Sequence, residues 1–273
     1  MVLKARGYSP ATAGPQGNRP QGNPTRGTTH AQRMRRVDRW MIATHARVLR
    51  HGSPLVVDLG FGASPVTTVE LFDRLRALNP AARVVGLELD PERVAAARSA
   101  ERPGLTFARG GFELPVAAPP TAVRLFNVLR QYREEDVPAI WSQLCSRLAP
   151  GGFVVEGTCD EVGRRAAWVT LGQDGPLSLT LATRLAGLET PAELAERLPK
   201  ALIHHNVPGE RIHAFLGELS AAWERSSALS TFGLRQRWRA TSAAVKEAGW
   251  AVLDTDRRWR QGEITVAWEA VAP

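Results

Sequence analysis

Between residues 55 and 160, short apolar runs alternate with stretches whose apolar positions recur every three or four residues. The runs "LVVDLG" (55–60), "RVVGLEL" (83–89), "LTFAR" (105–109), "AVRLFNVL" (122–129) and "FVVEGT" (153–158) read as strands. A helix is expected over about 30–50, with Met34, Val37, Met41 and Val48 as its apolar stripe. Ser64 followed by Pro65 marks a helix start that continues through Val66, Val69, Phe72 and Leu75. Asp90-Pro91 repeats that cap-and-proline start, and 137–148 is a further helix stopped by "APGG". Strands alternating with helices predict a parallel sheet covered on both faces.

The C-terminal third breaks the alternation. After a helix at about 235–248, "WAVLDTDRRW" and "EITVAWEAV" are separated by "RQG", which predicts an antiparallel hairpin. About 75 residues between the fifth strand and that helix exceed what the sheet requires. They include a predicted hairpin turning at Gln173-Asp174-Gly175, a capping box Thr190-Pro191-Ala192-Glu193, and an amphipathic helix carrying Ile212, Phe215, Leu216, Leu219 and Trp223. This insert is expected to cap the C-terminal edge of the sheet, where open α/β sheets bind ligands. The expected division is a disordered basic arm (1–28), a cofactor-binding core (29–160), a cap (161–234), and a helix and hairpin completing the core sheet (235–273).

Charge separates the arm from the rest. Residues 1–53 hold ten Lys or Arg against the single Asp38, a formal +9; against the overall +8, the remainder carries −1. Such an arm can touch phosphates, as in RNA, or serve as a solvated tail. No apolar run approaches a membrane span, nothing at the N-terminus resembles a secretory signal, and the two cysteines, Cys145 and Cys159, fit no metal spacing. A cytoplasmic protein with reduced thiols and no metal is expected.

"VVDLGFGASP" (56–65) is the most informative stretch. Gly60 and Gly62 permit a tight turn and a close backbone approach to a ligand. The helix that follows points its free N–H groups the same way. It is not the dinucleotide form, because Pro65 stands three beyond Gly62 where that form has Gly or Ala. Asp58 ends the first strand, and Glu88 ends the second, where a carboxylate can accept both ribose hydroxyls.

With these motifs in this order, residues 55–160 and 235–273 resemble the class I methyltransferases that use S-adenosylmethionine, specifically uncharacterised actinobacterial members. The resemblance implies a Rossmann-like, mostly parallel sheet of seven strands in the order 3-2-1-4-5-7-6, the seventh antiparallel. It implies that Gly60 and Gly62 pass under the methionine part of S-adenosylmethionine, that Asp58 binds the water or amino group near it, and that Glu88 holds the ribose. Ser64 replaces the motif's third glycine. Gly111, in "RGGFELP", stands where the family often carries an adenine-binding Asp, so Phe112 is the expected substitute, through its N–H or its ring.

In "LFNVLRQY", Asn127 falls where the family faces the transferable methyl, with Tyr132 close behind. Asp160 and Glu161, after the fifth strand, are candidates for a general base; they read equally well as loop carboxylates. The sequence thus predicts methyl transfer to O or N of an unidentified acceptor, a small molecule favoured over RNA. The alternative is a non-catalytic nucleic-acid-binding protein on the same fold.

Overall fold

The computed structural model describes residues 20–23 and 27–273. The expectation of a disordered arm therefore lies outside the described residues for 1–19 and 24–26.

Contacts divide the chain into two compact units. The first holds residues to Glu156, with Glu161–Gly163 and Leu171–Gly175; the second holds Gly157–Asp160, Arg164–Thr170 and Pro176–Pro273. Residues 235–273, expected to complete the core, thus group with 176–234.

The first unit begins with helices α1 (Arg35–Thr44) and α2 (Ala46–Arg50), where one continuous helix was expected. The break falls at His45, whose ring stacks on Phe153 with 3.7 Å between centroids. Burial pushes the His45 pKa down to about 4. Strand β1 (Leu55–Leu59) is buried at every position, as a strand covered on both faces must be. It leads into α3 (Val66–Leu78). The buried face of α3 is Thr67, Thr68, Leu71, Phe72 and Leu75, rotated from the predicted stripe because Val66 and Val69 are only half-buried. Strand β2 (Arg83–Glu88), helix α4 (Pro91–Ala97), β3 (Leu105–Arg109), β4 (Ala122–Phe126), α5 (Val137–Cys145) and β5 (Phe153–Cys159) follow. Asp90 caps α4 as predicted, accepting the Glu92 N–H at 2.9 Å. β1 pairs in parallel with β2 and β4, and β2 with β3.

Next come β6 (Arg165–Gly172) and β7 (Gly175–Thr183), joined at the predicted Gln173-Asp174 turn. In the second unit, Thr190 and Glu193 form the predicted capping box, although it opens a 3₁₀ stretch, Pro191–Arg197, rather than an α-helix. Short α6 (Lys200–Ile203) precedes α7 (Arg211–Arg225), which buries all five residues of its predicted stripe. Helix α8 (Leu234–Glu247) packs on α7. Trp223 and Trp238 meet edge to face there, 6.1 Å between centroids.

The predicted terminal hairpin forms only as a stub. Ala251 and Leu253 exchange backbone bonds with Ala267 and Thr265 of β8 (Glu263–Ala267), but residues 256–259 become helix α9 (Asp256–Trp259). The Trp259 indole N–H donates to Asp254 at 2.6 Å, an arrangement within one turn that an extended strand would not permit. The other edge of β8 pairs antiparallel with β7.

The sheet order among the described residues is β3-β2-β1-β4-β5-β6-β7-β8. The fold is the expected α/β architecture, mostly parallel with antiparallel strands at the C-terminal end. It has eight strands rather than seven, because the 165–183 hairpin, expected in the insert, joins the sheet, and the order after β5 is 6-7-8. Among the described residues, no helix is long and apolar enough to cross a membrane.

Candidate functional site

The first glycine turn is built as the sequence suggests. Gly60 has φ +76° and Gly62 φ +85°, both in the region that favours glycine. A Cβ on Gly60 would lie 2.8 Å from Val128 Cγ2, and one on Gly62 would lie 2.9 Å from the Gly27 carbonyl oxygen. The helix start is shifted by one residue: Pro65 stands at the cap itself, and the Ser64 hydroxyl accepts the Val66 N–H at 3.3 Å.

Glu88 ties that turn to the end of β2. Its Oε2 accepts the Gly62 N–H at 2.9 Å, and its Oε1 accepts the Leu89 N–H at 2.9 Å. The Arg93 guanidinium stands 3.8 Å from Oε2. Charge-assisted bonds of this kind hold a carboxylate in one orientation.

A narrow cleft with about 20 Å³ of free space lies beside these groups. Gly60, Glu88, Gly111, Phe112 and Tyr132 line it, all expected from sequence, together with Leu59, Leu89, Gly110 and Val128. Gln21, Gly22 and Asn23 complete the wall. The Phe112 and Tyr132 rings meet edge to face at 5.4 Å. The residues suit a nucleoside: a carboxylate for hydroxyls, a backbone N–H at Phe112, apolar walls, and a glycine turn that a Cβ would fill.

Asp58 does not join this group. It is buried, and both its oxygens are taken: Arg124 Nε donates to Oδ1 at 2.9 Å and Arg124 Nη2 to Oδ2 at 2.6 Å. Thr68 adds a hydroxyl bond to Oδ2 at 2.6 Å. Arg124 also bridges to Asp38, whose other oxygen accepts from Arg74 at 2.6 Å. Burial works against the Arg124 charge, but Asp38 and Asp58 outweigh it and hold its pKa above the usual value. The role near the cofactor's amino group, drawn from resemblance, gives way to an interior ion cluster. Its signal in the sequence was an arginine inside the apolar run "AVRLF", which our sequence reading did not use.

Asn127 directly follows β4 in the left-handed region, with φ +59°. Such a conformation in a non-glycine residue persists where surrounding structure enforces it, often at functional sites. It does not line the cleft, although its neighbour Val128 does. Asp160 accepts the N–H groups of Arg164 and Arg165 at 2.8 and 3.0 Å and so closes the turn between β5 and β6. Glu161 is exposed in the same turn. Neither arrangement resembles a base held against a reacting group.

Sequence reasoning missed Gln21–Asn23 and Glu113. Glu113 accepts the Gly111 N–H at 2.9 Å and the Gln21 N–H at 2.7 Å. Gln131 Nε2 donates to the Asn23 carbonyl at 2.7 Å. The arm's Gly-, Pro- and Asn-rich composition carries no periodic signal from which this docking could be read.

No protein family profile matches the chain, and no curated protein is similar to it at a significant level. Among solved structures, it is similar to human N-acetylserotonin methyltransferase in complex with S-adenosylmethionine, at 21% identity over 48% of this chain and 39% of that one, TM-score 0.32. It is similar to magnesium protoporphyrin IX methyltransferase from Synechocystis with bound S-adenosylmethionine, at 19% identity over 46% and 56%, TM-score 0.35. It is similar to CalS10, an amino pentose methyltransferase from Micromonospora echinaspora, at 20% identity over 58% and 66%, TM-score 0.34. The chain thus spans less than two thirds of the length of each.

Proposed function

We propose that this chain is an S-adenosylmethionine-dependent methyltransferase acting on O or N of a small-molecule acceptor. One observation carries the reading: the glycine turn after β1 and the carboxylate ending β2 are joined by the Gly62–Glu88 bond on the wall of one cleft. In this reading Glu88 accepts the ribose hydroxyls. The Phe112 N–H donates to adenine while its ring packs on the base. Gly60 and Gly62 let the main chain pass under the methionine part. Asn127 and Tyr132 face the acceptor.

When bound, the cofactor supplies a methyl on a positively charged sulfur, which leaves as a neutral thioether. The chain's contribution is to hold the acceptor's lone pair in line and close, which supplies much of the rate. An acceptor that keeps its proton needs a base as well, and we assign none, because Asp160 is engaged in its turn and Glu161 is exposed.

A small acceptor is favoured over RNA because the positive charge is concentrated in residues 1–53 while the remainder carries −1. Incubation with radiolabelled methyl donor and fractionated lysate tests this reading. Label in small-molecule fractions that survives ribonuclease is the expected result. Label confined to ribonuclease-sensitive material would move the acceptor to RNA, and cofactor binding without any transfer would favour a non-catalytic binding protein.

A further inference from the structure

Part of the N-terminal arm sits where the proposed nucleoside would bind. The Gln21 carbonyl accepts the Phe112 N–H at 3.0 Å, the donor assigned above to adenine. The Gln21 N–H donates to Glu113 Oε2 at 2.7 Å, and Gln143 Nε2 donates to Gln21 Oε1 at 2.6 Å. Two residues on, the Asn23 N–H donates to the Tyr132 hydroxyl, and Gln131 Nε2 reaches the Asn23 carbonyl at 2.7 Å. Both main-chain groups of Gln21 and of Asn23 are therefore satisfied by residues of the pocket wall and its surroundings.

Gly111 makes the approach possible. A Cβ there would lie 1.8 Å from the Gln21 carbonyl oxygen and 2.7 Å from its carbon. No side chain at this position is compatible with the docked segment, least of all the Asp implied by the sequence resemblance. The missing carboxylate and the docked segment are thus two sides of one arrangement. With Gln21–Asn23 forming a wall, the free space left in the cleft is about 20 Å³, far below the range of about 300–1,000 Å³ typical of small-molecule sites.

We propose that Gln21–Asn23 is an internal competitor for the cofactor's adenine, an autoinhibitory strap that must leave Phe112 before the nucleoside can bind. The inference rests on the proposed function for the identity of the ligand. A single N–H cannot serve a peptide carbonyl and an adenine nitrogen in full at once. The strap therefore lowers apparent affinity by the fraction of molecules in which it is docked. A lid closing over bound cofactor has the opposite sign, because it would strengthen binding.

Two substitutions in the full chain separate the signs. Gly22→Val strains the strap and pushes it off the wall: its Cβ would lie 3.0 Å from the Tyr132 hydroxyl and 3.1 Å from Leu89 Cδ1, at φ +139°. Gln143→Ala removes one hydrogen bond to the strap from a residue that does not line the cleft. Calorimetric titration with S-adenosylhomocysteine should show tighter binding by about tenfold for Gly22→Val and about threefold for Gln143→Ala, as expected for losing several net hydrogen bonds or one. Without ligand, the Phe112 amide should exchange faster with solvent deuterium in Gly22→Val than in wild type. Equal or weaker binding by both variants, with wild-type binding intact, would overturn the strap alone. So would equal Phe112 exchange. Absence of binding to wild type and both variants alike would instead overturn the proposed function, and the competition with it.

Discussion

Asp58 and Glu88 end neighbouring strands and face opposite fates. Asp58 stands beside Gly86 in the β1–β2 register, so Glu88 is two residues, about 7 Å, nearer the strand ends, on the same face of the sheet. At the level of Asp58, that face is covered: Thr68 of α3, Asp38 of α1 and Arg124 of β4 close around the carboxylate. At the level of Glu88, α3 has not yet begun, and the carboxylate meets the amides of Gly62 and Leu89 and the cleft. Two residues along a strand separate an interior anchor from an acid on the wall of the cleft.

The interior side should give the largest effect. Arg124→Leu leaves Asp38 and Asp58 buried without their shared partner, and removing one member of a buried ion pair costs about 3–5 kcal/mol. A urea melt should show that loss or a failure to fold. Unchanged stability would mean that the cluster is not charged, and the comparison with Glu88 would break.

Glu156 sharpens the contrast, since it is an acid in the middle of β5 with neither an ion partner among the described residues nor a place on the cleft. It is buried in β5, and its Oε2 finds no hydrogen-bond partner among the described residues. Burial pushes its pKa from an ordinary 4.5 up to about 8, with the Trp141 indole offsetting part of the shift. The unfolded chain releases this proton near 4.5 and the folded chain near 8. Stability is therefore highest below the lower value and falls, by a few kcal/mol, as pH rises through the upper one. Glu156→Gln should remove that slope and be the more stable protein above pH 8. Parallel pH profiles of the two melts would refute the buried proton.

The turn comes next in size. Gly62→Val forces a side chain into a backbone at φ +85° and against Gly27. Cofactor binding should fall below detection in calorimetry while the far-ultraviolet circular dichroism remains that of wild type. A folded variant that binds normally would reject the glycine turn as part of the site.

These particulars show what the sequence could disclose. "LTFAR" is a strand with the bounds read from its pattern, and "VVDLGFG" is a strand and turn, because β-branched runs and glycines act through local conformation. Glu88 was legible for the same reason: it directly follows a buried run. The partner of Asp58 lies 66 residues away in β4, and only the register of β1 with β4 brings it close. The bond between Gln21 and Phe112 joins two main-chain groups, so neither residue's side chain announces its partner. Helix α9 replaced a predicted strand because the Trp259–Asp254 bond and a helical turn outweighed an apolar alternation.

The smallest change set by this comparison is also the most direct test of the central proposal that Glu88 meets the cofactor. Glu88→Gln keeps the size of the side chain and an oxygen able to accept the Gly62 N–H, but loses the charge that strengthens bonds to ribose hydroxyls. Titration of wild type and Glu88→Gln with S-adenosylhomocysteine should show about tenfold weaker binding by the variant, with melting temperatures nearly equal. Equal affinity in the two proteins would contradict the account.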